Sequence, residues 1–486
     1  MDYTNRTRPA GCDRRARGFN PSVANSGTVR HARCALVLTG ALITAFPASA
    51  QQKTGPGITG DESLTWHGIT LYGVVDVGFQ YDTHAAPFTP YRPAASGNIV
   101  RQFSRGAVSG LTPSNMGQSR VGLQGSEPLN DEVSAVFQLE SFFNPQSGQI
   151  ANSLKSLAVN NGRTTATDST GVDGSSAGQP FQTAWVGLKS ARFGTLTFGR
   201  QATLVLQGII QYDPNYNASA FGLLGASNTY SGAGSQEDNR LDSTAKYRMD
   251  FGELLHLGAL YKFSGSHGSA NTVVQADIGG AYAGASVDVY YSKANSAITA
   301  TPLSAAQVAK LPALGYSEPD SLAATISDNT AYALMASYSL DPLKFFAGYE
   351  YIRYANPATP LNAGFDDIGG YTLAFVTDNA YNNDKFVQIY WTGARYTVIP
   401  HLDLTVAYYG YHQNAYGSGK AAGCTTAAFS TCSGGLEAFS VDADYRFNAH
   451  FDAYLGAMYS GIHDGAANGY FYTTNINPTV GVRYKF

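Results

Sequence analysis

Phe439-Ser440-Val441-Asp442-Ala443-Asp444-Tyr445-Arg446-Phe447 is followed, after Asn448-Ala449-His450, by Phe451-Asp452-Ala453-Tyr454-Leu455-Gly456-Ala457-Met458-Tyr459. In the first stretch the odd positions are apolar or aromatic, and Ser440, Asp442, Asp444 and Arg446 sit between them. Successive side chains of a strand point to opposite faces, so this is a strand with one apolar and one polar face. The second stretch repeats it, with Phe451, Ala453, Leu455, Ala457 and Tyr459 set against Asp452, Tyr454, Gly456 and Met458. So does Leu241 to Asp250, where Leu241, Ala245, Tyr247 and Met249 face one way and Asp242, Lys246, Arg248 and Asp250 the other. A soluble sandwich hides its apolar face and offers the other to water. Here the polar faces carry both signs of charge strand after strand, as a wet interior would.

Composition agrees. Of 486 residues 44% are hydrophobic and only 14% charged, about half the ~25% usual for soluble chains. Aromatics at 12% exclude disorder, and no apolar run approaches the ~20 residues of a spanning helix. Four Cys and a formal charge of −4 exclude a disulfide scaffold and a basic nucleic-acid binder. What remains is a β-chain with 53 Gly and 32 Tyr.

Period-2 alternation predicts sixteen strands: 69–81, 118–125, 132–143, 181–189, 194–200, 241–250, 254–264, 272–281, 283–294, 330–339, 343–354, 384–398, 402–414, 435–447, 450–461 and 476–486. The connections alternate between long ones, such as 144–180 and 201–240, and turns such as Phe251-Gly252-Glu253 and Leu340-Asp341-Pro342. Short turns on one side and long loops on the other are the pattern of an outer-membrane barrel, with periplasmic turns and extracellular loops. In hydrocarbon every backbone polar group must be paired internally, so a β-chain spans a membrane only as a closed barrel. The expected fold is all-β, a 16-stranded antiparallel transmembrane barrel over 69–486. Tyr290, Tyr291, Tyr349, Tyr351, Tyr408, Tyr409 and Tyr411 crowd strand ends, as an interfacial girdle or as ordinary β-propensity.

Residues 1–50 have a different chemistry. Seven arginines, an apolar run from Ala35 to Phe46 and Ala48-Ser49-Ala50 predict a cleaved signal peptide. Its basic region is over-long, as a start read too far upstream would make it, with Val29 marking a start of ordinary size. Residues 51–68 read as a short polar segment. Removing 1–50 leaves 24 basic and 33 acidic residues, a net of −9, and two cysteines. Cys424 and Cys432, in a Gly/Ser/Thr loop of an exported chain, read as a disulfide; a metal site is the poorer alternative, because no His lies near.

Two enzyme patterns lack their context. Gly55-Pro56-Gly57-Ile58-Thr59-Gly60 fits a dinucleotide loop without a strand before it or a helix after it. Gly174-Ser175-Ser176-Ala177-Gly178 fits a nucleophile elbow inside a polar loop. No enzyme, cofactor or metal is expected.

Leu71-Tyr72-Gly73-Val74-Val75-Asp76, Ser119-Arg120-Val121-Gly122-Leu123-Gln124-Gly125, Val136-Phe137-Gln138-Leu139-Glu140, Phe193-Gly194-Thr195-Leu196-Thr197-Phe198-Gly199-Arg200-Gln201 and the terminal Val480-Gly481-Val482-Arg483-Tyr484-Lys485-Phe486 resemble Gram-negative general porins of the betaproteobacterial type. The resemblance implies a homotrimeric outer-membrane channel for small hydrophilic solutes and ions, embedded among lipid and lipopolysaccharide. It also implies a third loop folded into the lumen, whose acids face arginines on the wall. By position Arg120 and Arg200 match that cluster, with Arg240 a plausible third and Lys246 and Arg248 in phase with it. The loop offers Asp213, Glu237 and Asp238. Arg200 shares the parity of Leu196 and Phe198, so a bulge or the strand's end must turn it inward. Leu204-Val205-Leu206-Gln207-Gly208-Ile209-Ile210 is unusually apolar for such a loop. The C-terminal strand, with Tyr484 and Phe486, resembles the signal read by the barrel-assembly machinery. Opposed charges across a narrow pore select ions; alternatively the arginines merely pair with neighbouring carboxylates. A substrate-specific channel for organic acids or sugars, and less so a barrel enzyme or adhesin, are the alternatives.

Overall fold

The structure, a computed structural model, describes residues 64–84, 106–146, 148–150, 181–227, 240–252, 254–264, 271–301, 303–368, 371–419, 431–467 and 472–486. The expected signal peptide, most of the segment 51–68, Cys424, Glu237 and Asp238 fall outside them.

Sixteen antiparallel strands close into a barrel: β1 (Ile69–Asp82), β2 (Val108–Pro113 resumed in Arg120–Pro128), β3 (Val133–Asn144), β4 (Thr183–Ser190), β5 (Gly194–Ala202), β6 (Arg240–Phe251), β7 (Leu255–Lys262), β8 (Thr272–Tyr282), β9 (Ala285–Thr301), β10 (Ser321–Leu340), β11 (Leu343–Ala355), β12 (Lys385–Ile399), β13 (Leu402–Gln413), β14 (Gly434–Arg446), β15 (Phe451–Asp464) and β16 (Thr474–Ile476 resumed in Thr479–Lys485). Each pairs with its sequence neighbours, and Val74–Gln80 of β1 pairs with Thr479–Lys485 of β16 to close the ring. Beyond β16 the backbone of Phe486 exchanges two hydrogen bonds with Gly73. A Cβ on Gly73 would stand 2.3 Å from the Phe486 ring, so the closing seam needs a glycine there.

The apolar faces point outward. Leu455 is 62% and Phe439 57% exposed, whereas Asp452 and Asp442 of the same strands are 0% and 3% exposed. Closure satisfies the backbone and removes sheet edges, so the outer face can meet hydrocarbon while charges stay in the lumen.

Three departures from the expected strands have local causes. The second strand starts at Val108 rather than 118, then breaks at 114–119. The Asp76 carboxylate holds the break, accepting from the Met116 and Gly117 N–H groups at 2.8 Å each and from the Tyr454 hydroxyl at 2.5 Å. The expected loop 295–329 is partly strand, because β9 and β10 continue to Thr301 and back to Ser321. A parallel strand, Tyr371–Thr377, pairs with Ser321–Thr325, and separate apolar clusters bury Leu322 and Ala324 on one face and Ala323 on the other, which removes the alternation that marks a strand. Lastly, β6 carries a bulge: Ser243 has φ +53°, and two residues, Asp242 and Ser243, stand opposite Arg200. A one-residue slip moves every side chain beyond it to the other face. Leu241 therefore turns inward, buried at 3%, and Asp242 turns away, the reverse of the expected phase.

The connection after β5 folds inward as helix α1 (Leu204–Tyr212) and the short α2 (Leu223–Ser227). Thr203 caps α1, its hydroxyl accepting from Leu206 N–H at 3.1 Å. Leu204, Val205, Ile209 and Tyr212 pack on the inner wall against Tyr290, Met335, Ile352, Ile389 and Trp391. The Trp391 indole N–H donates to the Tyr212 carbonyl at 2.9 Å, and the Leu204 N–H donates to Gln275 Oε1 at 2.8 Å. The apolar loop is thus an amphipathic helix covering an apolar interior wall. Gly208 permits the approach: a Cβ there would lie 2.4 Å from the Tyr290 ring. Gly208→Leu is predicted to lift α1 into the lumen, at about 1–3 kcal/mol of overpacking. Single-channel conductance falls while the barrel stays folded; conductance equal to wild type would count against this packing.

Candidate functional site

The inward faces of β2–β6 and β16, the break at 114–119 and the loop carrying α1 enclose a cavity of about 510 Å³. Its wall presents Arg120, Arg240, Lys246, Arg248, Arg483 and Lys485, and Glu140 is the one carboxylate among the described lining residues. Four of the six cations are engaged with carboxylates. Arg120 Nε lies 3.2 Å from Glu140, which also accepts from the Tyr72 hydroxyl at 3.1 Å. Arg248 reaches Asp277 at 3.3 Å. Arg483 contacts Asp452 at 2.9 Å and Asp444 at 3.2 Å, and Lys485 contacts Asp452 at 2.7 Å.

Arg240 and Lys246 differ. Lys246 Nζ donates to the Ala202 carbonyl at 3.0 Å, and Arg240 lies over the Phe142 ring at 4.7 Å. Neither has a carboxylate partner among the described residues. The loop facing them presents Gln207, Ile210, Tyr216 and Asn217, all uncharged. A water-filled cavity with this balance attracts anions and repels cations.

The structure brings together Arg120, Arg240, Lys246 and Arg248, and corrects two other assignments. Arg200 is not part of the cavity lining. It shares the strand parity of the exposed Leu196 and Phe198, but it is buried at 8% exposure and pairs with Asp242 at 2.5 Å. The bulge lies on the neighbouring β6, so Gln201 rather than Arg200 faces the lumen, where it donates to the Thr244 hydroxyl at 3.0 Å.

Asp213 does not confront the arginines either. It is fully buried at the C-terminus of α1 and accepts from Asn217 N–H at 2.6 Å, Leu223 N–H at 3.0 Å and the Tyr409 hydroxyl at 2.7 Å. Burial pushes its carboxyl above the ordinary carboxylate range, opposed by these hydrogen bonds. It organises the loop and presents no charge to the pore.

Glu140, Arg483 and Lys485 were missed as lining residues. The alternation used elsewhere finds them: Val480, Val482 and Tyr484 point outward, which leaves Arg483 and Lys485 inward. Tyr484 stands exposed on the outer face, its ring 6.1 Å from that of Phe486. Cys432 is buried and disulfide-bonded.

A family model described as Gram-negative porin matches residues 35–465. An outer membrane porin protein from Bordetella pertussis is 27% identical over 238 residues, which are 49% of this chain and 50% of that protein. The alignment thus spans half the length of that relative. Among solved structures, an anion-selective porin from Comamonas acidovorans shares the fold at 16% identity, with a TM-score of 0.54 over 86% of this chain and 99% of that one. OmpT of Vibrio cholerae in a trimer form shares it at 12% identity and a TM-score of 0.50, over 86% and 99% of the two chains. With a closed sixteen-stranded barrel, an inward-folded third loop and a match across most of its length, the chain belongs to the Gram-negative porin family.

Proposed function

We propose that the barrel is a water-filled outer-membrane channel for passive diffusion of small hydrophilic solutes, with a preference for anions. The observation that carries this is the cavity wall, six cations to one carboxylate, with Arg240 and Lys246 lacking carboxylate partners among the described residues. The net charge of −9 left after residue 50 points the other way, but charges beyond about 10 Å are largely screened at 0.1 M salt. The charge on the cavity lining therefore outweighs charge spread over the loops.

The working unit in this reading is a homotrimer surrounded by lipid and lipopolysaccharide, as the family suggests. Cleavage after Ala50 releases the exported chain. Cys432 pairs with Cys424, the one other cysteine after the cleavage point, and Tyr484 and Phe486 present the strand that the assembly machinery reads.

The test is conductance of the mature protein in a planar bilayer. Large unitary steps that rise linearly with salt are expected of an open aqueous pore. Small steps that saturate, or none, would overturn the diffusion reading in favour of a substrate-specific channel.

A further inference from the structure

A second, smaller cavity of about 150 Å³ lies on the other side of the inward loop, bordered by Arg395, Asp403, Asp442, Asp444 and Arg446. It shares four border residues with the large cavity: Met116, Tyr216, Arg483 and Lys485. Their charge balances differ. The large cavity has one carboxylate against six cations; the small one has three against Arg395, Arg446, Arg483 and Lys485.

The ring between them is held from several directions. Tyr216 and Asn217 both adopt left-handed backbone conformations, with φ +53° and +60°, which non-glycine residues keep only when their surroundings enforce them. Here Tyr216 N–H donates to the Asp213 carbonyl at 3.0 Å, and the Asp213 carboxylate accepts from Asn217 N–H at 2.6 Å. The Arg395 guanidinium stacks on the Tyr216 ring at 4.0 Å from its centre and donates to the Pro214 carbonyl. A cation this close to a ring face is attracted by its quadrupole. Farther along, the loop is pinned to the break in β2. Ala220 N–H donates to the Asn115 carbonyl at 2.9 Å, and the Ser219 hydroxyl donates to the Ser114 carbonyl. The described part of the loop therefore follows the inner wall from β12 and β13 past β14, β15 and β16 to the break in β2, with Tyr216 between its two anchor points.

We propose that Tyr216, clamped by Arg395, is the specificity-determining partition of the pore: its ring separates the basic cavity from the carboxylate-bearing one. The selectivity half of this proposal rests on the anion-preferring reading above; the size half does not. Removing the ring joins the two spaces, widens the path and exposes a permeating anion to Asp442 and Asp444.

The experiment compares wild type, Tyr216→Ala, Tyr216→Phe and the triple variant Tyr216→Ala/Asp442→Asn/Asp444→Asn in planar bilayers, reading conductance and zero-current potential in a KCl gradient. Tyr216→Ala is expected to raise conductance about 1.3-fold, in line with the added volume, and to cut the anion-over-cation ratio by about twofold or more. Tyr216→Phe recovers most of both differences. The triple variant keeps the larger conductance and regains the anion preference, a pattern that general loosening of the loop would not give. A Tyr216→Ala channel identical to wild type in conductance overturns the partition. A selectivity change that the triple variant leaves uncorrected overturns its role in specificity. A cation-preferring wild type overturns the anion reading alone, because the conductance comparison still decides the partition.

Discussion

Replacing Arg240 and Lys246 together by glutamate reverses the sign of the zero-current potential. These two cations have no carboxylate partner among the described residues, so their charge is spent on the lumen. A unit charge about 4 Å from an ion changes its energy by about 1–4 kcal/mol for effective dielectric constants between those of water and a protein surface. Exchanging two cations for two anions therefore moves the anion-over-cation ratio by tenfold or more, since each 1.4 kcal/mol is a factor of ten. Water in the lumen keeps the replacements compatible with folding, and heat-modifiability on a gel checks this independently. Arg120→Ala serves as the comparison. It leaves Glu140 without its guanidinium partner, but Arg240 and Lys246 remain, so the potential keeps its sign. A double glutamate variant that stays anion-preferring would place the selective charge elsewhere.

Arg483→Ala lowers the temperature at which the folded barrel converts to the unfolded chain. Arg483 is 7% exposed and contacts Asp452 at 2.9 Å and Asp444 at 3.2 Å, with Asp452 itself fully buried. Removing one partner of a buried pair costs about 3–5 kcal/mol because the other charge is left uncompensated. Lys485, 2.7 Å from Asp452, offsets part of this. The arginine also ties β16 to β14 and β15 beside the seam with β1 that closes the ring. Asp452→Asn is expected to cost less, because Arg483 keeps Asp444. Gel-shift unfolding profiles of both variants make the comparison; equal profiles for Arg483→Ala and wild type would contradict the pairing.

Much of the fold was legible in the sequence because a barrel wall writes itself as period-2 alternation. The Phe439–Phe447 and Phe451–Tyr459 stretches carry opposite solvents on their two faces, and the structure exposes Phe439, Val441, Tyr445, Phe447, Leu455 and Tyr459 on the outside while Tyr454 and Met458 turn inward. Legibility failed where the two faces stopped differing. The upper parts of β9 and β10 are buried on both sides. The inner wall near Met335, Ile352 and Trp391 is apolar because α1 lies on it, so those strands are apolar on both faces. The apolar Leu204–Ile210 run was visible as an anomaly, but the wall it covers comes from later strands, from Leu260 on β7 to Trp391 on β12. Phase also failed at β6, where one left-handed residue, Ser243, inverted Leu241 and Asp242. Such a backbone slip leaves no mark in a pattern of polar and apolar letters.

Candidate pore residues followed the same division. Lys246, Arg248 and Arg120 lie within regular alternation, and the structure places them on the cavity wall. Arg200 precedes the strand's end with a bulge on its neighbour, and only the pairing of β5 with β6 shows which residue turns inward. Asp213 looked like a pore acid by composition. Its role depends on three backbone N–H groups, of Asn215, Asn217 and Leu223, and on Tyr409 converging on it, an arrangement that no local pattern encodes.

The zero-current potential of the wild-type mature protein in a KCl gradient tests the account most directly. A chloride-preferring potential is predicted from Arg240 and Lys246, which have no carboxylate partner among the described residues, on a wall whose described residues hold six cations and one carboxylate. A potassium-preferring potential, following the −9 charge of the chain beyond residue 50, would contradict it.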